Sequence, residues 1–455
     1  MISRIWNKLF NNQTPDTAAH ITLQRGDHSV SRKEISVNAL KVLNRLHRAD
    51  YEAYLVGGGV RDILLGLHPK DFDIATDATP EQIKRLFRNC RIIGRRFKLA
   101  HILFGHEIIE VATFRAQHQE GSKHGAAHAS GMLVRDNVYG SLEEDAKRRD
   151  FTINALYYSS DNYTVQDFTG GLADLAKRQL RLIGDPITRY QEDPVRMLRA
   201  VRLAAKLDLT IEAATAKPIK DNVDLLNNVS SARLWDESHK LLLAGKAHKT
   251  YQWLNDYGLF SALFPATAKS LDDRQSQPFE EFILAALDST DQRVAQNKPV
   301  TPAFLYSVFL WQPLLKRLEQ LLAQNMSRND AYHKAMGQVL TEQCSTIAIP
   351  KRFSLVIRDI WSLQPRLEYR TPKSFKLLEH PKFRAAYDFL VLRAKSDTDL
   401  VSIAEWWTDY QEASVDTQRK MVQTLPTYKK PKRRRNAGKK RRTQYRKPTN
   451  NQGQQ

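Results

Sequence analysis

The chain has 455 residues, of which 42% are apolar and 26% charged, a composition typical of soluble globular proteins large enough for two or three cores. It has no apolar run of about 18 residues, which excludes a membrane-spanning helix, and no secretion signal. Its two cysteines, Cys90 and Cys344, lie far apart, which excludes a disulfide framework and a zinc motif. These features favour a cytoplasmic location. The net charge of +20 indicates a polyanionic partner, with nucleic acid as the first candidate.

The first 12 residues predict a short amphipathic helix. Its apolar face is formed by Ile2, Ile5, Trp6, Leu9 and Phe10, which are spaced three and four residues apart. A helix of this kind more often docks on its own domain, and the alternative is a weak peripheral contact with a membrane surface.

The next elements are predicted to alternate between helix and strand. An apolar period of three to four residues predicts a helix over Ser31–Asp50 that begins near Ser31 or Lys33. "EAYLVGGG" predicts a strand that ends in a tight turn, "DILLGL" a short helix and "DFDIAT" a second strand. "TPEQIKRLFRN" predicts a helix with Thr79 as its N-cap and Pro80 at its first position.

Three further strands are predicted by the β-branched alternation of "CRIIG", "LAHILFG" and "HEIIEVATFRA". The segment Gln117–Ser130 is rich in Gly, Ala and His and predicts a mobile loop, in which the histidines are poorly suited to hold a metal. "TINALYYS" and "TVQDFTGGLADLAKRQLRLIG" close an α+β unit, and the pattern after about residue 185 is almost wholly helical.

The C-terminal end carries most of the excess positive charge. Lys429 to Lys447 contain 12 Lys and Arg residues, and no acidic residue follows Asp416. The last 30 or so residues are expected to be disordered. A disordered basic arm binds phosphates without reading sequence, with an affinity that falls steeply with salt.

The stretch "VGGGVRDILLGLHPKDFD" carries the first chemical signal. Gly57, Gly58 and Gly59 permit positive φ, and their exposed amides form a nest that suits an anion. Arg61 adds a charge-assisted partner for phosphate. The alternative is an ordinary strand-to-helix turn in which Arg61 pairs with Asp62.

Two carboxylates follow at once. On a strand, Asp71 and Asp73 point to the same face, about 6.6 Å apart at their Cα atoms. Carboxylates placed in this way hold Mg²⁺ together with phosphate oxygens, and a pair of such ions supports phosphoryl transfer. The alternative is two surface aspartates, although Phe72 and Ile74 should anchor the strand in the core.

A third carboxylate is expected nearby, and two candidates stay open. Glu110 lies on an alternating strand that belongs in the same sheet, and Asp150 follows two arginines in "AKRRDFTINAL". An exposed strand position would explain Glu110 without a function. An N-cap or an ion pair with Arg148 or Arg149 would explain Asp150.

"LVGGGVRDILLGLHPKDFDIAT", "RRDFTINAL" and "EDPVRMLRAVRLAAKL" together resemble the bacterial poly(A) polymerase and tRNA CCA-adding nucleotidyltransferase family, from about Tyr54 to Leu207. The resemblance implies a metal-binding catalytic pair at Asp71 and Asp73, with Asp150 preferred as the third carboxylate. It also implies ATP as substrate and two Mg²⁺ ions. The resemblance implies contacts with triphosphate and ribose for Arg148, Arg149 and Asn154. It implies base reading by the protein itself for Asp193, Arg196 and Arg199. Gly57, Gly58 and Arg61 stay candidates for phosphate binding on the chemistry of the glycine turn.

The base-reading helix has support from its own pattern. Pro194 suits a first helical turn with Asp193 as its cap. Arg196, Arg199 and Arg202 recur near one face, while intervening apolar residues can pack. The alternative is a capped, solvated basic helix.

The resemblance also implies the architecture. The expected fold class is α+β: an N-terminal nucleotidyltransferase head with a mixed or antiparallel sheet and helices, then an all-helical neck and body, then a disordered basic tail. The expected segments are 1–30 as an N-terminal extension, 31–157 as the catalytic head, 158–235 as the neck, 236–420 as the body and 421–455 as the tail.

Poly(A) and CCA addition share these motifs. "RIIGRRFKLAHI" and later helical segments such as "SARLWDESHKLLLAG" resemble the corresponding parts of bacterial poly(A) polymerases. Together with the basic tail, this resemblance favours poly(A) addition to the 3′ ends of many RNAs, with RNA-decay proteins as expected partners. The alternatives are a tRNA CCA-adding enzyme and a noncatalytic RNA-binding protein on the same fold, although the intact acidic motifs speak against the second.

Overall fold

The computed structural model describes residues 20–94, 98–116, 138–273, 276–370 and 375–425, and the backbone of 125–127 and 133–136. The predicted amphipathic helix of residues 1–12, the basic tail from residue 426, residues 95–97 of the basic segment and the histidines of Gln117–Ser130 lie outside the described residues.

The head is built on an eight-stranded mixed sheet with the order β1-β10-β9-β2-β3-β6-β5-β4. The strands of the described residues are β1 Ile21–Leu23, β2 Ala53–Val56, β3 Asp73–Thr76, β4 Cys90–Ile93, β5 Leu99–Phe104, β6 Glu107–Thr113, β7 Gly125–Ala127, β8 Leu133–Asp136, β9 Leu156–Tyr158, β10 Val165–Asp167, β11 Gln179–Leu180 and β12 Thr210–Ile211. Strands β3 and β6 run parallel, and the other pairs of this sheet are antiparallel. The mixed sheet confirms the expected α+β head.

The described α-helices cover both the head and a long helical region that follows it. They are α1 Val37–His47, α2 Gly58–Leu64, α3 Pro80–Leu86, α4 Leu142–Arg148, α5 Gly171–Ala176, α6 Pro186–Glu192, α7 Val195–Leu207, α8 Ala213–Asp221, α9 Ser231–Leu242, α10 Ala247–Asp256, α11 Leu259–Leu263, α12 Pro265–Leu271, α13 Gln277–Ala295, α14 Pro302–Phe309, α15 Trp311–Ala323, α16 Arg328–Thr346, α17 Lys351–Glu368, α18 Phe375–Leu378, α19 Phe383–Arg393, α20 Val401–Glu412 and α21 Val415–Gln423. None of these helices combines the length and apolarity that crossing a bilayer requires.

Local sequence signals explain several helix starts. Thr79 caps α3 through a capping box with Gln82, and Pro80 occupies its first turn, as predicted. Helix α1 begins later than predicted, because Ser36 accepts a hydrogen bond from the amide of Ala39 and caps it. Ser31 instead caps a single 3₁₀ turn.

The chain around the two aspartates departs from the predicted strand. Strand β3 begins at Asp73, so Asp71 lies in the segment before it. The alternation nevertheless holds, since Phe72 and Ile74 are buried while Asp71 and Asp73 are exposed. The two carboxylates are therefore presented on the same side of a well-anchored chain.

Two segments pair where the sequence predicted none. Strand β1, within the stretch predicted as an extension, pairs with β10, which lies beyond the predicted end of the head at residue 157. Gly125–Ala127, within the predicted mobile loop, pairs with Leu133–Asp136. Strands β1 and β7 have only three residues each and lie in stretches dominated by polar and small residues, so little alternation marks them.

Candidate functional site

A cleft of about 390 Å³ lies where the head sheet meets helices α4, α7 and α9. It is lined by Val56, Asp73, Ile74, Leu99, Glu110, Ala112, Arg115, Asp145, Arg148, Arg149, Asp150, Asp193, Arg196, Arg199 and Arg233. Seven of the predicted site residues thus converge from segments more than 100 residues apart. Asp71, Gly57, Gly58, Arg61 and Asn154 lie outside this lining.

One wall of the cleft carries neighbouring carboxylates. Asp73 on β3 lies in register with Glu110 on the parallel strand β6. The Asp73 side chain reaches solvent but is crowded by protein, and this partial desolvation, together with the charges of Glu110 and then Asp71, raises its pKa to about 6 despite the opposing effect of Arg149. Two neighbouring acidic groups therefore act on the Asp73 carboxyl.

This wall fits a hard divalent cation. Carboxylate repulsion that raises a pKa is relieved when a cation sits between the groups, and Mg²⁺ needs only one or two carboxylates because it keeps waters and phosphate oxygens as its other ligands. Within the described residues, no group of three or more His, Cys, Asp or Glu side chains forms a ready-made metal centre. The residues present suit an ion that arrives with a phosphate.

Another part of the cleft lining is crowded with arginines. Burial and the charges of Arg115, Arg189, Arg149 and Arg196 all lower the pKa of Arg148. Burial likewise lowers the pKa of Arg115, which follows strand β6. Because arginine stays protonated in proteins, these shifts mark positive charge that a bound polyanion would stabilise.

The RRD segment is held rigidly from both sides. Arg149 donates from Nε to the Tyr157 hydroxyl (2.7 Å) and to Asp145 Oδ2 (3.1 Å). Burial alone would lower the pKa of Arg149, but Tyr157 and Asp145 raise it. Arg189 of α6 donates from Nη2 to the carbonyl oxygens of Arg148 (2.5 Å) and Arg149 (2.7 Å).

Asp150, the preferred third carboxylate, has partners for both of its oxygens. Oδ1 accepts from the Phe151 amide (2.8 Å) and from Asn154 Nδ2 (3.1 Å), and Oδ2 accepts from Arg199 Nε (2.7 Å). Burial alone would raise its pKa, but Arg199 and these hydrogen bonds lower it. The structure therefore places Asp150 in an ion pair and Glu110 beside Asp73.

The glycine turn is more conventional than predicted. Only Gly57 among the three glycines has a positive φ, of 73°, and it caps α2, whereas Gly58 and Gly59 are the first residues of that helix. Arg61 is 4% exposed and donates to Asp62 and to Asn154 Oδ1. This is the alternative arrangement, in which Arg61 pairs with Asp62, and Asn154 is occupied by Arg61 and Asp150.

The EDPVR segment also differs in one detail. Asp193 does not cap α7, whose N-cap is Pro194 without a side-chain bond; its Oδ2 instead accepts from Arg233 Nη2 of α9 (2.6 Å). Because Asp193 lies two residues before the first residue of α7, its carboxylate can turn towards the guanidinium of Arg233 on α9. Arg196 donates to Glu192 (2.9 Å), and Val195 is fully buried.

Four charged residues of the cleft lining carried no site prediction or only an open one: Arg115, Asp145, Arg233 and Glu110. Asp145 is 3% exposed and joins Arg149, Tyr157 and the amide of Arg115. An acidic residue one helical turn before an arginine is a weak signal, common on solvated helices. Only the fold shows that this pair faces a cleft.

Three family models match the chain. They are the poly A polymerase head domain over residues 53–181, the probable RNA and SrmB-binding site of polymerase A over 208–271, and the polymerase A arginine-rich C-terminus over 324–444. The Poly(A) polymerase I of Salmonella typhimurium is 51% identical over 431 residues, which covers 93% of this chain and 92% of that protein. The chain belongs to the poly(A) polymerase I family.

CCA-adding enzymes are more distant relatives. That of Lactobacillus gasseri is 39% identical over 226 residues, covering 50% of this chain and 55% of that protein. Among solved structures, the Thermotoga maritima CCA-adding enzyme complexed with tRNA has a TM-score of 0.56 at 20% sequence identity, covering 90% of this chain and 92% of that chain. The Bacillus stearothermophilus CCA-adding enzyme in complex with CTP has a TM-score of 0.52 at 24% sequence identity, covering 85% of this chain and 80% of that chain. These likenesses show that the nucleotidyltransferase fold is shared.

Proposed function

We propose that this protein adds AMP from ATP to RNA 3′ ends without a template and releases pyrophosphate. The observation that carries the proposal is the extent of its similarity to poly(A) polymerase I, at 51% identity over 93% of the chain. The similarity to a CCA-adding enzyme stops at half of the chain. A match of this extent includes most of the helical region, and the arginine-rich C-terminus model reaches residue 444. These are the parts of the chain in which the two activities are expected to differ.

The cleft supports this chemistry by its separation of charge. The RNA 3′-hydroxyl would attack the α-phosphate of ATP, forming an O3′–P bond as the bond to the β-phosphate bridging oxygen breaks. Arg148, Arg149 and Arg115 would hold the triphosphate and stabilise the charge that develops on the leaving pyrophosphate. Most of the acceleration would come from this positioning and charge stabilisation.

Magnesium is the proposed cofactor, held by Asp73 with Asp71, and by Glu110 or Asp150 as the third carboxylate. When bound, a pair of such ions supplies Lewis-acid stabilisation of the attacking and departing oxygens. The geometry supports Glu110, since Asp73 and Glu110 are in register, while Asp150 is engaged with Arg199. Because Asp71 and Asp73 would hold magnesium, the RNA 3′-hydroxyl would be placed beside these two carboxylates.

Adenine would be read by Asp193, Arg196 and Arg199, which reach the cleft from the start of α7. Protein side chains would thus replace a template strand. The helical neck and body, with boundaries proposed at 158–235 and 236–420, would carry the RNA, and the basic tail would add sequence-independent affinity. The turn at Gly57, which lies beside Arg149, suits an approach of the phosphates.

A cytoplasmic location, RNA-decay proteins as partners and a weak membrane contact of residues 1–12 complete the proposal. The low cysteine content supports a reducing compartment. Addition of poly(A) to unrelated RNAs would mark them for decay.

A primer-extension assay tests the proposal. Purified protein and Mg²⁺ are incubated with a short unstructured RNA and one nucleotide at a time, beside a tRNA transcript that lacks its CCA end. A long ladder on the unstructured RNA with ATP alone is expected. Addition of two C and one A, on the tRNA only, would establish CCA addition, and RNA binding without consumption of ATP would establish a noncatalytic protein.

A further inference from the structure

A chain of hydrogen bonds connects the helix after the glycine turn to the helix of the neck. Asp62 Oδ1 accepts from Arg61 Nε (2.8 Å) and Nη2 (2.6 Å), and Arg61 Nη1 donates to Asn154 Oδ1 (2.5 Å). Asn154 Nδ2 donates to Asp150 Oδ1 (3.1 Å), and Asp150 Oδ2 accepts from Arg199 (2.7 Å). Two members of this hydrogen-bond network line the cleft: Asp150, and Arg199 of α7.

The chemistry of the donors fixes the orientation of the Asn154 amide within this series of hydrogen bonds. A guanidinium only donates, so Arg61 requires the amide oxygen of Asn154 to face it. The amide nitrogen of Asn154 must then face Asp150 and donate to it. If Arg61 moved away, the amide could rotate and present its oxygen to the Asp150 carboxylate, which would repel it and loosen the grip of Asp150 on Arg199.

Asp62 holds Arg61 in the orientation that the chain needs. Asp62 is 8% exposed and Arg61 is 4% exposed, and Oδ1 of Asp62 accepts from two nitrogens of the guanidinium. Lys206, one helical turn beyond Arg202 on α7, lies 4.0 Å from the other oxygen of Asp62. Two contacts to α7 therefore start from the Arg61–Asp62 pair, one direct and one through Asn154 and Asp150.

We propose that Asp62 and Arg61 are positioning residues for nucleotide selection, because they set the orientation of Arg199 and thereby the preference of the cleft for adenine. The inference rests on the proposed function, in which Arg199 reads the base. It deepens that function by placing part of the selectivity outside the cleft, in a buried pair that does not line it. A protein that reads a base without a template needs side chains that stay in one orientation.

The Asp62→Asn variant tests the inference. Asparagine keeps the size and one acceptor oxygen but loses the charge that orients Arg61. The readouts are kcat/KM for single addition of AMP and of CMP to one unstructured RNA, the KM for that RNA, and the equilibrium affinities for ATP and CTP. We expect the preference for ATP to fall by about tenfold or more, since a misplacement of 1 Å can cost on the order of 100-fold. The KM for RNA should stay unchanged, and Asp62→Glu should recover part of the preference.

Asp174→Asn is the matched control. Asp174 is 1% exposed and accepts from Arg181 Nη2 (3.0 Å) and Thr152 Oγ1 (2.6 Å), so it is also a buried aspartate paired with arginine, but it does not line the cleft. Its loss should lower stability while the preference for ATP stays at the wild-type value.

The outcomes separate the inference from the proposed function. A folded Asp62→Asn protein with wild-type preference for ATP in both turnover and binding overturns the inference and leaves polyadenylation intact. If that variant does not fold, Arg61→Lys takes its place, since lysine keeps the charge but cannot bridge Asp62 and Asn154, and the same criterion applies. Failure of the wild-type protein to add AMP overturns the proposed function, and the binding preference then still decides the inference.

Discussion

The assignment of the third carboxylate can be decided by comparing Asp150→Asn with Glu110→Gln. Asp150 uses one oxygen for the Phe151 amide and Asn154 and the other for Arg199. An asparagine has a single acceptor oxygen, so its amino group must face a donor on one side. Removing one partner of a buried ion pair costs about 3–5 kcal/mol.

That cost should be visible in a thermal melt. At about 2–4 °C per kcal/mol for a unit of this size, the melting temperature of Asp150→Asn should fall by roughly 6–20 °C. Glu110 is different, because its side chain is 46% exposed and glutamine can still accept the hydrogen bond from His101 Nε2, which lies 3.1 Å from Glu110 Oε1. The stability of Glu110→Gln should stay within about 0.5 kcal/mol of wild type.

The activities of the two variants complete the comparison. If Glu110 shares the metal with Asp73, Glu110→Gln should lose about 100-fold or more in elongation at unchanged stability and require more Mg²⁺. Elongation is measured as AMP incorporated on an unstructured RNA over a Mg²⁺ titration. An Asp150→Asn protein that melts like wild type, together with a fully active Glu110→Gln protein, would refute the reasoning and return the third-carboxylate role to Asp150.

Four further results are expected. Asp73→Asn should abolish elongation in the extension assay while RNA binding, measured by gel shift, survives; retained elongation would contradict the site. Truncation after Leu425 should weaken RNA binding and reduce the slope of log K against log salt by about 0.7 for each RNA phosphate that the tail neutralises, which a salt titration measures. The stability advantage of wild type over Asp150→Asn should be constant from about pH 5 to 8 and shrink below about pH 4. The reason is that the pKa of Asp150 is lower in the folded state than in the unfolded state, so its stabilisation is lost as the pH falls from the unfolded-state pKa towards the folded-state pKa. ATP should raise the melting temperature, because it binds only the native state and stabilises it by about 2.7 kcal/mol at a concentration of 100 times its Kd. Adenosine at the same concentration should have little effect on the melting temperature.

The sequence predicts the elements near the site well, because each prediction there depends on neighbouring residues. The strand before the glycine turn, the anchored Asp-Phe-Asp segment and the capped helix α3 follow from alternation and capping within a few positions. Helix α7 likewise buries Val195, Leu198 and Val201 on one face, as its pattern predicts.

What the sequence leaves open depends on contacts between distant segments. The register that sets Asp73 opposite Glu110 joins residues 37 positions apart, and the bond from Arg61 to Asn154 joins residues 93 apart. Local pattern therefore cannot choose between Glu110 and Asp150, or between phosphate and Asp62 as the partner of Arg61. Asp193 fails as a predicted cap for the same reason, since Arg233 lies 40 positions later.

The arrangement of charge in the cleft links binding to chemistry. The acidic wall, with Asp73 and Glu110, is destabilised by repulsion between negative charges, and the wall around Arg148 is destabilised by burial and by repulsion between positive charges. A cation relieves the first and a triphosphate relieves the second. Because the cation and the triphosphate also attract each other, each favours binding of the other. Asp150 and Arg199 both line the cleft and form a neutral ion pair, which would hold the reading helix in place throughout this change. Selection of the base and acceptance of the phosphates can then be governed by separate side chains in one cleft.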